Sequence, residues 1–391
     1  MKLGWDFIRS LLHDTKDVQH VGIGNIAGKV IVGIFWFYMA TVLGSENYGQ
    51  VIYLIALGSM GAAISMVGTS NTLIVYTAKK VPIESALYSI ALILGTAAAI
   101  VLYIFSSNII VSIFVFGYIF YNLGVAQLLG NKLYKKYAII LIIQKILFVS
   151  LALLFYYIIG FEGVVLGFAL SMLVFSYIVL KEFRDTKIDF KILKPRFGFM
   201  INNYALTIEK VLNGQVDKLI IAPIFGFALL GNYALSIQFL SIMLIIPSIV
   251  FQYTLSQDAT GNLSKKIKKV SIGSSIMVAC LGIVLSPILI PIIFPDYVEA
   301  IQLIQIISFM VIPSSIILAY NSELLGKEKS RFVLIGQGIS VSVYLVGLLT
   351  LGAIIGINGV AISLVLSSIC QAVFYIIIIR HLKNQEALRS N

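Results

Sequence analysis

In this chain of 391 residues, 59% are hydrophobic and 12% charged, too little charge for a water-facing surface, since globular domains carry roughly 25%. The formal net charge of +11 would fit a nucleic-acid binder if the basic residues formed one patch. They stand instead in short clusters between apolar runs, the pattern that encodes membrane orientation and argues against a nucleic-acid partner. The longest polar stretch, Lys181 to Arg196, is too short for a separate soluble domain of typical size, about 100 residues or more.

The first element is a short helix over Met1 to Leu12. Leu3, Phe7, Ile8, Leu11 and Leu12 share one face and Lys2, Asp6 and Arg9 another, with Trp5 nearby, as an interfacial helix requires. Asp6, Arg9, Asp14 and Asp17 interrupt any apolar h-region, so no cleaved signal peptide is expected. Twelve apolar runs follow, at roughly 21–43, 48–70, 83–105, 108–130, 137–159, 161–180, 198–221, 229–253, 270–293, 299–321, 332–352 and 356–379, each near the ~20 residues that span a bilayer. The expected fold is all-α, with about 12 transmembrane helices.

Orientation follows from the connections. Odd-to-even connections hold Glu46, Glu162, Asp296 and Glu299 and no Lys or Arg, whereas even-to-odd connections and the termini hold 24 of the 28 basic residues. The positive-inside rule places the basic side and both termini in the cytoplasm of a multi-pass cell-membrane protein. The seventh run, diluted by Glu209, Lys210, Asp217 and Lys218, is retained because omitting it would turn the later basic loops outward. Cys280 and Cys370 lie in apolar runs and read as small buried hydrophobes.

The sequence also repeats itself. Ile158-Ile159-Gly160-Phe161-Glu162-Gly163-Val164 returns as Ile354-Ile355-Gly356-Ile357-Asn358-Gly359-Val360, and Leu128-Leu129-Gly130 as Leu324-Leu325-Gly326, both at an offset of 196. Asn47-Tyr48 and Asn232-Tyr233 echo each other at 185. The division expected is a cytoplasmic N-terminus at 1–20, an N-lobe of six helices at 21–180, a cytoplasmic linker at 181–197, a C-lobe of six at 198–380 and a cytoplasmic tail at 381–391. Lobes of like orientation are related by a pseudo-two-fold along the membrane normal and enclose a central cavity.

Ionisable groups inside the runs are the candidate functional residues, because a Lys or Asp at the helix centre costs roughly 2.5–3.5 kcal/mol on insertion scales. Asn25 and Lys29 share a face of helix 1, Gln144 and Lys145 sit together on helix 5, and Glu209, Asn213 and Asp217 form a stripe on helix 7 with Lys210 and Lys218 alongside. Two readings are open. Lys29 and Lys145 either snorkel or line a polar cavity, and Asp217 and Lys218 either neutralise one another near the outer end or serve transport. Gly22-Ile23-Gly24 with Gly28 has the letters of a dinucleotide loop but follows no strand and reads as a helix-packing stripe. His13, His20 and His381 lie far apart and near the ends of the chain, so neither a metal site nor a catalytic histidine is expected; no nucleophile or carboxylate pair stands out in the polar segments, which argues against an enzyme.

The turn Leu43-Gly44-Ser45-Glu46-Asn47-Tyr48-Gly49 is similar to the Leu-Gly-x-x-x-Tyr-Gly turn of polysaccharide repeat-unit flippases, the O-antigen exporters of the multidrug, oligosaccharidyl-lipid and polysaccharide exporter superfamily. Asn213-Gly214-Gln215-Val216-Asp217-Lys218, Gly231-Asn232-Tyr233 and Phe294-Pro295-Asp296-Tyr297 extend the resemblance along the chain, with Pro295 where relatives usually have Gly. The resemblance implies transport of a lipid-linked oligosaccharide, on a polyprenyl phosphate or diphosphate, from the cytoplasmic to the outer leaflet by alternating access. It implies no resident cofactor, with membrane lipids and polysaccharide-assembly proteins as partners; Glu209 and Asp217 either carry a coupling ion, H+ or Na+, or hold the lysines in place, and the sequence leaves both readings open. Asn25, Lys29, Gln144, Lys145, Lys210, Asn213 and Lys218 are the expected substrate contacts. The competing readings are a drug or cation antiporter of the same superfamily and a membrane-embedded glycan polymerase or transferase. The first needs an acidic cavity, whereas the six buried charges here sum to four positive and two negative; the second needs a sizeable outer loop.

Overall fold

The computed structural model describes the chain apart from residues 1, 186, 246, 252–253, 255–264, 328 and 391, and apart from the side chains of residues 2–27, 206, 209–210, 212–213, 265–268, 383 and 385–390. Every regular element among the described residues is helical. The α-helices are α1 (Lys2–Met66), α2 (Thr69–Ala78), α3 (Glu84–Ser106), α4 (Ile109–Gly130), α5 (Tyr134–Ile159), α6 (Phe161–Met172), α7 (Ser176–Asp185), α8 (Phe197–Phe225), α9 (Phe227–Met243), α10 (Lys265–Ile293), α11 (Ala300–Ser308), α12 (Val311–Gly326), α13 (Ser330–Ile355) and α14 (Ile357–Ser390). There are also two 3-10 turns, Leu173–Phe175 and Phe190–Arg196, and residues 247–251 are helical.

Eight helices among the described residues are long and apolar enough to cross a membrane, and the bent pair α11 and α12 makes a ninth. Three more segments bring the total to the expected twelve. The apolar part of α1, Gly28–Met66, has 39 residues, about 58 Å of helix, and it breaks at Gly44 (φ 69°, ψ 171°), so it supplies two spans. Helix α8 is 29 residues long but diluted by charge, and α9 has 17 residues, about 25 Å.

Several boundaries differ from expectation. No break separates residues 1–12 from the first span, because α1 is continuous from Lys2 to the kink; a helix leaving hydrocarbon for water needs no interruption, since its backbone bonds are internal. The second span stops at Met66, where Val67 (φ 43°) and Gly68 (φ 72°) turn the chain into the short α2. The tenth span bends by 40° between α11 and α12, where Pro313 in the first turn of α12 has no N–H to offer the preceding turn. Cys280 and Cys370 are exposed on helix surfaces, not buried. Other apolar residues of the spans are exposed as well, Ile104 and Ile292 each at 74%, the pattern of spans whose outward surface meets lipid.

The chain forms two compact units, residues 1–39 with 50–220 and residues 40–49 with 221–391. The first includes α8 up to residue 220, which the sequence repeat groups with the second half; the offset marks kinship between halves, the units mark packing. In the first unit, Leu73, Leu87, Tyr88, Val115, Ile119 and Leu123 form a buried core together with Leu193 and Met200. In the second, Leu324, Val333, Tyr375 and Ile379 cluster, and the Tyr375 hydroxyl donates to the Val333 carbonyl at 3.0 Å.

The repeat at offset 196 holds in the elements that carry it. Helices α5 and α13 are both 26 residues and begin and end 196 apart (330 − 134 and 355 − 159). Each closes on a glycine in the same conformation, Gly160 (φ 75°, ψ −150°) and Gly356 (φ 70°, ψ −148°), and the N–H of each bonds to the carbonyl four residues back at 2.9 Å. Three residues on, a Cβ at Gly163 or Gly359 would overlap the carbonyl oxygen of Phe155 or Leu351, so both hairpins need a bare backbone there. The ends of α4 and α12 match too, with Leu133 N–H bonded to the Leu128 carbonyl at 2.9 Å and Lys329 N–H to the Leu324 carbonyl at 2.8 Å.

Within the second unit, residues 40–49 are clamped onto its helices. A Cβ on Gly49 would overlap the Phe227 carbonyl, and one on Gly231 would overlap the Ser45 carbonyl, so two helix starts meet backbone to backbone. The buried Tyr297 hydroxyl donates to the Ala40 carbonyl at 2.9 Å and its ring packs edge-on against Tyr48, whose hydroxyl donates to Gln238 Oε1 at 3.0 Å. Burial, then the neighbouring Tyr48 and Asp296, pushes the Tyr297 phenol up, so it remains a donor at neutral pH.

Gly163→Ala and Gly359→Ala should each lower thermal stability in detergent by about 2–3 kcal/mol. Gly160→Ala, where a Cβ meets nothing within 4 Å but the backbone conformation (φ 75°, ψ −150°) is essentially reserved for glycine, should cost about 1–3 kcal/mol without a clash. Unchanged stability in Gly163→Ala would contradict the close approach. Tyr297→Phe should cost about 1 kcal/mol, read as a drop of roughly 2–4 °C in Tm.

Candidate substrate site

Helix α1 brings Lys29 to a position 15 residues before its Gly44 break, and α5 brings Lys145 to a position 15 residues before Gly160. Both therefore lie about 22 Å along the helix from those turns, in the far third of a ~30 Å hydrocarbon core. The two helices meet at this level. Gly28 is buried and its Cα faces the Lys145 stem, with Lys145 Cγ 3.4 Å from where a Cβ would stand. A Cβ there would stand in van der Waals contact with the lysine stem, and only a longer side chain at 28 would push the lysine aside. The sequence read Gly22, Gly24 and Gly28 as a packing stripe, and at Gly28 the packing partner is the functional candidate itself.

Lys145 is half-buried, and its ammonium lies 5.6 Å from the centre of the Tyr121 ring on α4, a cation–π contact that favours charge in a dry setting. Lys29 is exposed on the helix surface. Among the described residues, neither lysine has a carboxylate partner. Gln144, next to Lys145, is fully buried and donates through Nε2 to the Ser171 hydroxyl at 2.9 Å, while its Oε1 has no hydrogen-bond partner among the described residues. It is therefore placed inside the α5–α6 contact, behind Lys145, and not on an open face.

Asp217 and Lys218 stand apart from these two on α8. Lys218 Nζ lies 3.4 Å from Asp217 Oδ1 and also donates to the Gly214 carbonyl, so opposite neighbours neutralise one another as the sequence allowed. Their depth differs from expectation. Helix α8 runs on to Phe225 before the chain turns at Gly226, which puts Asp217 nine residues from that turn, about 13 Å and close to mid-core. Asp217 is 5% exposed. The side chains of Asn25, Glu209, Lys210 and Asn213 lie outside the described residues.

Sequence reasoning missed Tyr121 and Ser171. Neither belongs to a motif, and both become functional candidates only because α4 and α6 pack on α5. The arrangement offers two cations at one depth, one of them braced on an aromatic face, which suits a phosphate or another anionic headgroup.

No family profile matches the chain, and no curated protein matches it by sequence. Solved structures do match. The inward closed conformation of lipid II flippase MurJ superposes with a TM-score of 0.75 over 92% of this chain and 87% of that one, at 14% identity. The inward-facing conformation of a multidrug resistance MATE family transporter of the MOP superfamily gives 0.66 over 94% and 99%, also at 14% identity. A MOP superfamily transporter from Pyrococcus furiosus, described as having a binding pocket of reverse polarity, gives 0.57 over 94% and 95% at 14% identity. At such identities the likeness is one of fold, and the fold of this chain is that of MOP-superfamily transporters.

Proposed function

We propose that this protein is a flippase that moves a lipid-linked oligosaccharide repeat unit, carried on a polyprenyl phosphate or diphosphate, from the cytoplasmic to the outer leaflet by alternating access during cell-surface polysaccharide synthesis. The observation that carries the reading is the pair Lys29 and Lys145, at one depth on touching helices and without a carboxylate partner among the described residues. Two lysines held in hydrocarbon cost roughly 2.5–3.5 kcal/mol each, and a transported anion offsets that cost whenever it binds. The sugar headgroup of such a substrate cannot cross hydrocarbon unaided, while its polyprenyl tail can stay in the lipid.

In this reading Lys210 and Asn213 extend the cationic and amide surface from α8, Asn25 extends it from α1, and Gln144 supports Lys145 from behind. Glu209 and Asp217 carry the coupling H+ or Na+, and Lys218 is the ion-pair partner that the coupling ion displaces from Asp217. Both termini and the basic loops face the cytoplasm of the cell membrane, where polysaccharide-assembly proteins would deliver the lipid-linked unit. The fold likeness to a lipid II flippase supports this assignment. The fold likeness to a multidrug MATE transporter supports the competing cation antiporter, but lysines without a carboxylate partner among the described residues repel a cationic substrate.

The test is complementation of a flippase-deficient strain, with lipid-linked intermediates assayed by leaflet. Lys29→Ala, Lys145→Met and Lys210→Ala, each at normal abundance in the membrane, should reduce export at least about tenfold, a loss of ~1.4 kcal/mol in anion stabilisation. Full export by both Lys29→Ala and Lys210→Ala would overturn the cationic site. Lost tolerance to cationic drugs with export intact would favour the antiporter. Lys145→Met keeps the stem that packs on Gly28, so its thermal stability should stay within about 1 kcal/mol of the parent, while Lys145→Ala should lose about 1–2 kcal/mol through the gap it leaves.

A further inference from the structure

We propose that the segment 187–199, together with Lys79 and Lys80, is a docking surface for the phosphate headgroups of anionic phospholipids in the leaflet at this basic end of the first unit. Asp189 begins the surface by accepting the Lys191 N–H at 2.9 Å through Oδ1, which caps the 3-10 turn Phe190–Arg196. Leu193, 7% exposed, pins the turn into the core of the first unit, with Ile192 packed beside it. A turn held by its inner face presents its outer one. That face carries Lys191 and Lys194, both exposed, among Ile188 at 51%, Phe190 at 51% and Phe197 at 59% exposure. Exposed aromatics alternating with lysines at the end of a membrane helix suit the boundary between headgroups and acyl chains.

Two more cations converge there. The Arg196 guanidinium lies 5.0 Å and the Lys79 ammonium 5.5 Å from the centre of the same Tyr76 ring, which itself packs edge-on to Phe199 at 5.6 Å. The described ion pairs, Lys218 with Asp217 and Lys327 with Glu323, lie elsewhere, and none joins Lys79, Lys80, Lys191, Lys194 or Arg196 to a carboxylate. Arg196 spends one terminal nitrogen on the Ile192 carbonyl, and the other terminal nitrogen of this half-buried side chain is the group that meets a phosphodiester oxygen. Lys79, on the same ring, adds a second cation for that headgroup. The acyl chains then lie against Phe190 and Phe197. Orientation alone accounts for the number of lysines in this loop, but not for the aromatic exposure around them or for two cations gathered on one ring.

The experiment uses the full chain purified in a neutral detergent, stripped of lipid and offered equal amounts of phosphatidylglycerol and phosphatidylcholine, with retained lipid counted by native mass spectrometry. The parent should retain phosphatidylglycerol in preference. The triple variant Lys79→Ala, Lys191→Ala, Lys194→Ala changes only exposed side chains, so it should fold normally and lose that preference, by about fivefold for each cation removed that contacts the headgroup. Arg196→Lys should weaken retention while keeping charge, since an ammonium lacks the planar fork. Retention should also fall as salt is raised. Equal retention of the two lipids by the parent, or an unchanged preference in the triple variant, overturns the proposal. Retention of a polyprenyl diphosphate with no phosphatidylglycerol bound overturns it as well and would assign the surface to the transported lipid.

Discussion

Hydrocarbon offers no hydrogen bonds to a peptide group, so a chain that crosses it many times must close its backbone bonds within each helix and confine every turn to a few residues. The hairpins at Gly160 and Gly356 show how tight this makes the connections: one left-handed glycine bonds back four residues, and a second glycine three residues later lets the returning helix lie against the carbonyl of the first. With no solvent to drive helices together in lipid, such close approaches supply much of the packing. The meeting of Gly49 and Gly231 with the opposing helix starts is the same device within the second unit.

Charge is the second resource that the membrane makes scarce. Most of the basic residues sit in connections, where they cost little and set orientation. Those left inside spans are handled in different ways. Lys218 is neutralised by its neighbour Asp217 and a helix carbonyl, whereas Lys145 is braced on Tyr121 and Lys29 is left exposed beside it at the same depth. Among the described residues the first is a closed pair and the other two are cations without a carboxylate partner.

The connection 181–196 illustrates how far a polar run can be misjudged when read as a spacer. Leu193 is apolar because it plugs the core, Asp189 is there to cap, and Arg196 is stacked on a ring donated by a helix more than a hundred residues earlier. None of these roles has a period that a linear reading can detect. The same is true of Ser171 and Tyr121, which owe their place near Lys145 to helix packing and not to any motif.

By itself the sequence determined the all-helical class, twelve membrane-length segments and the internal repeat, because those depend on local quantities: apolar length, turn glycines and the sign of short loops. It marked Lys29, Lys145 and Asp217 as candidates because buried charge is conspicuous wherever it falls. Only the tertiary structure decided that Lys145 leans on Gly28 beside Lys29, that Gln144 is turned inward to Ser171, that Asp217 lies near mid-core and is paired, and that α8 packs with the first unit. Those outcomes depend on which helix faces meet, and in lipid that choice rests on the fit of small residues and single polar contacts spread over the whole chain, which no short window of sequence contains.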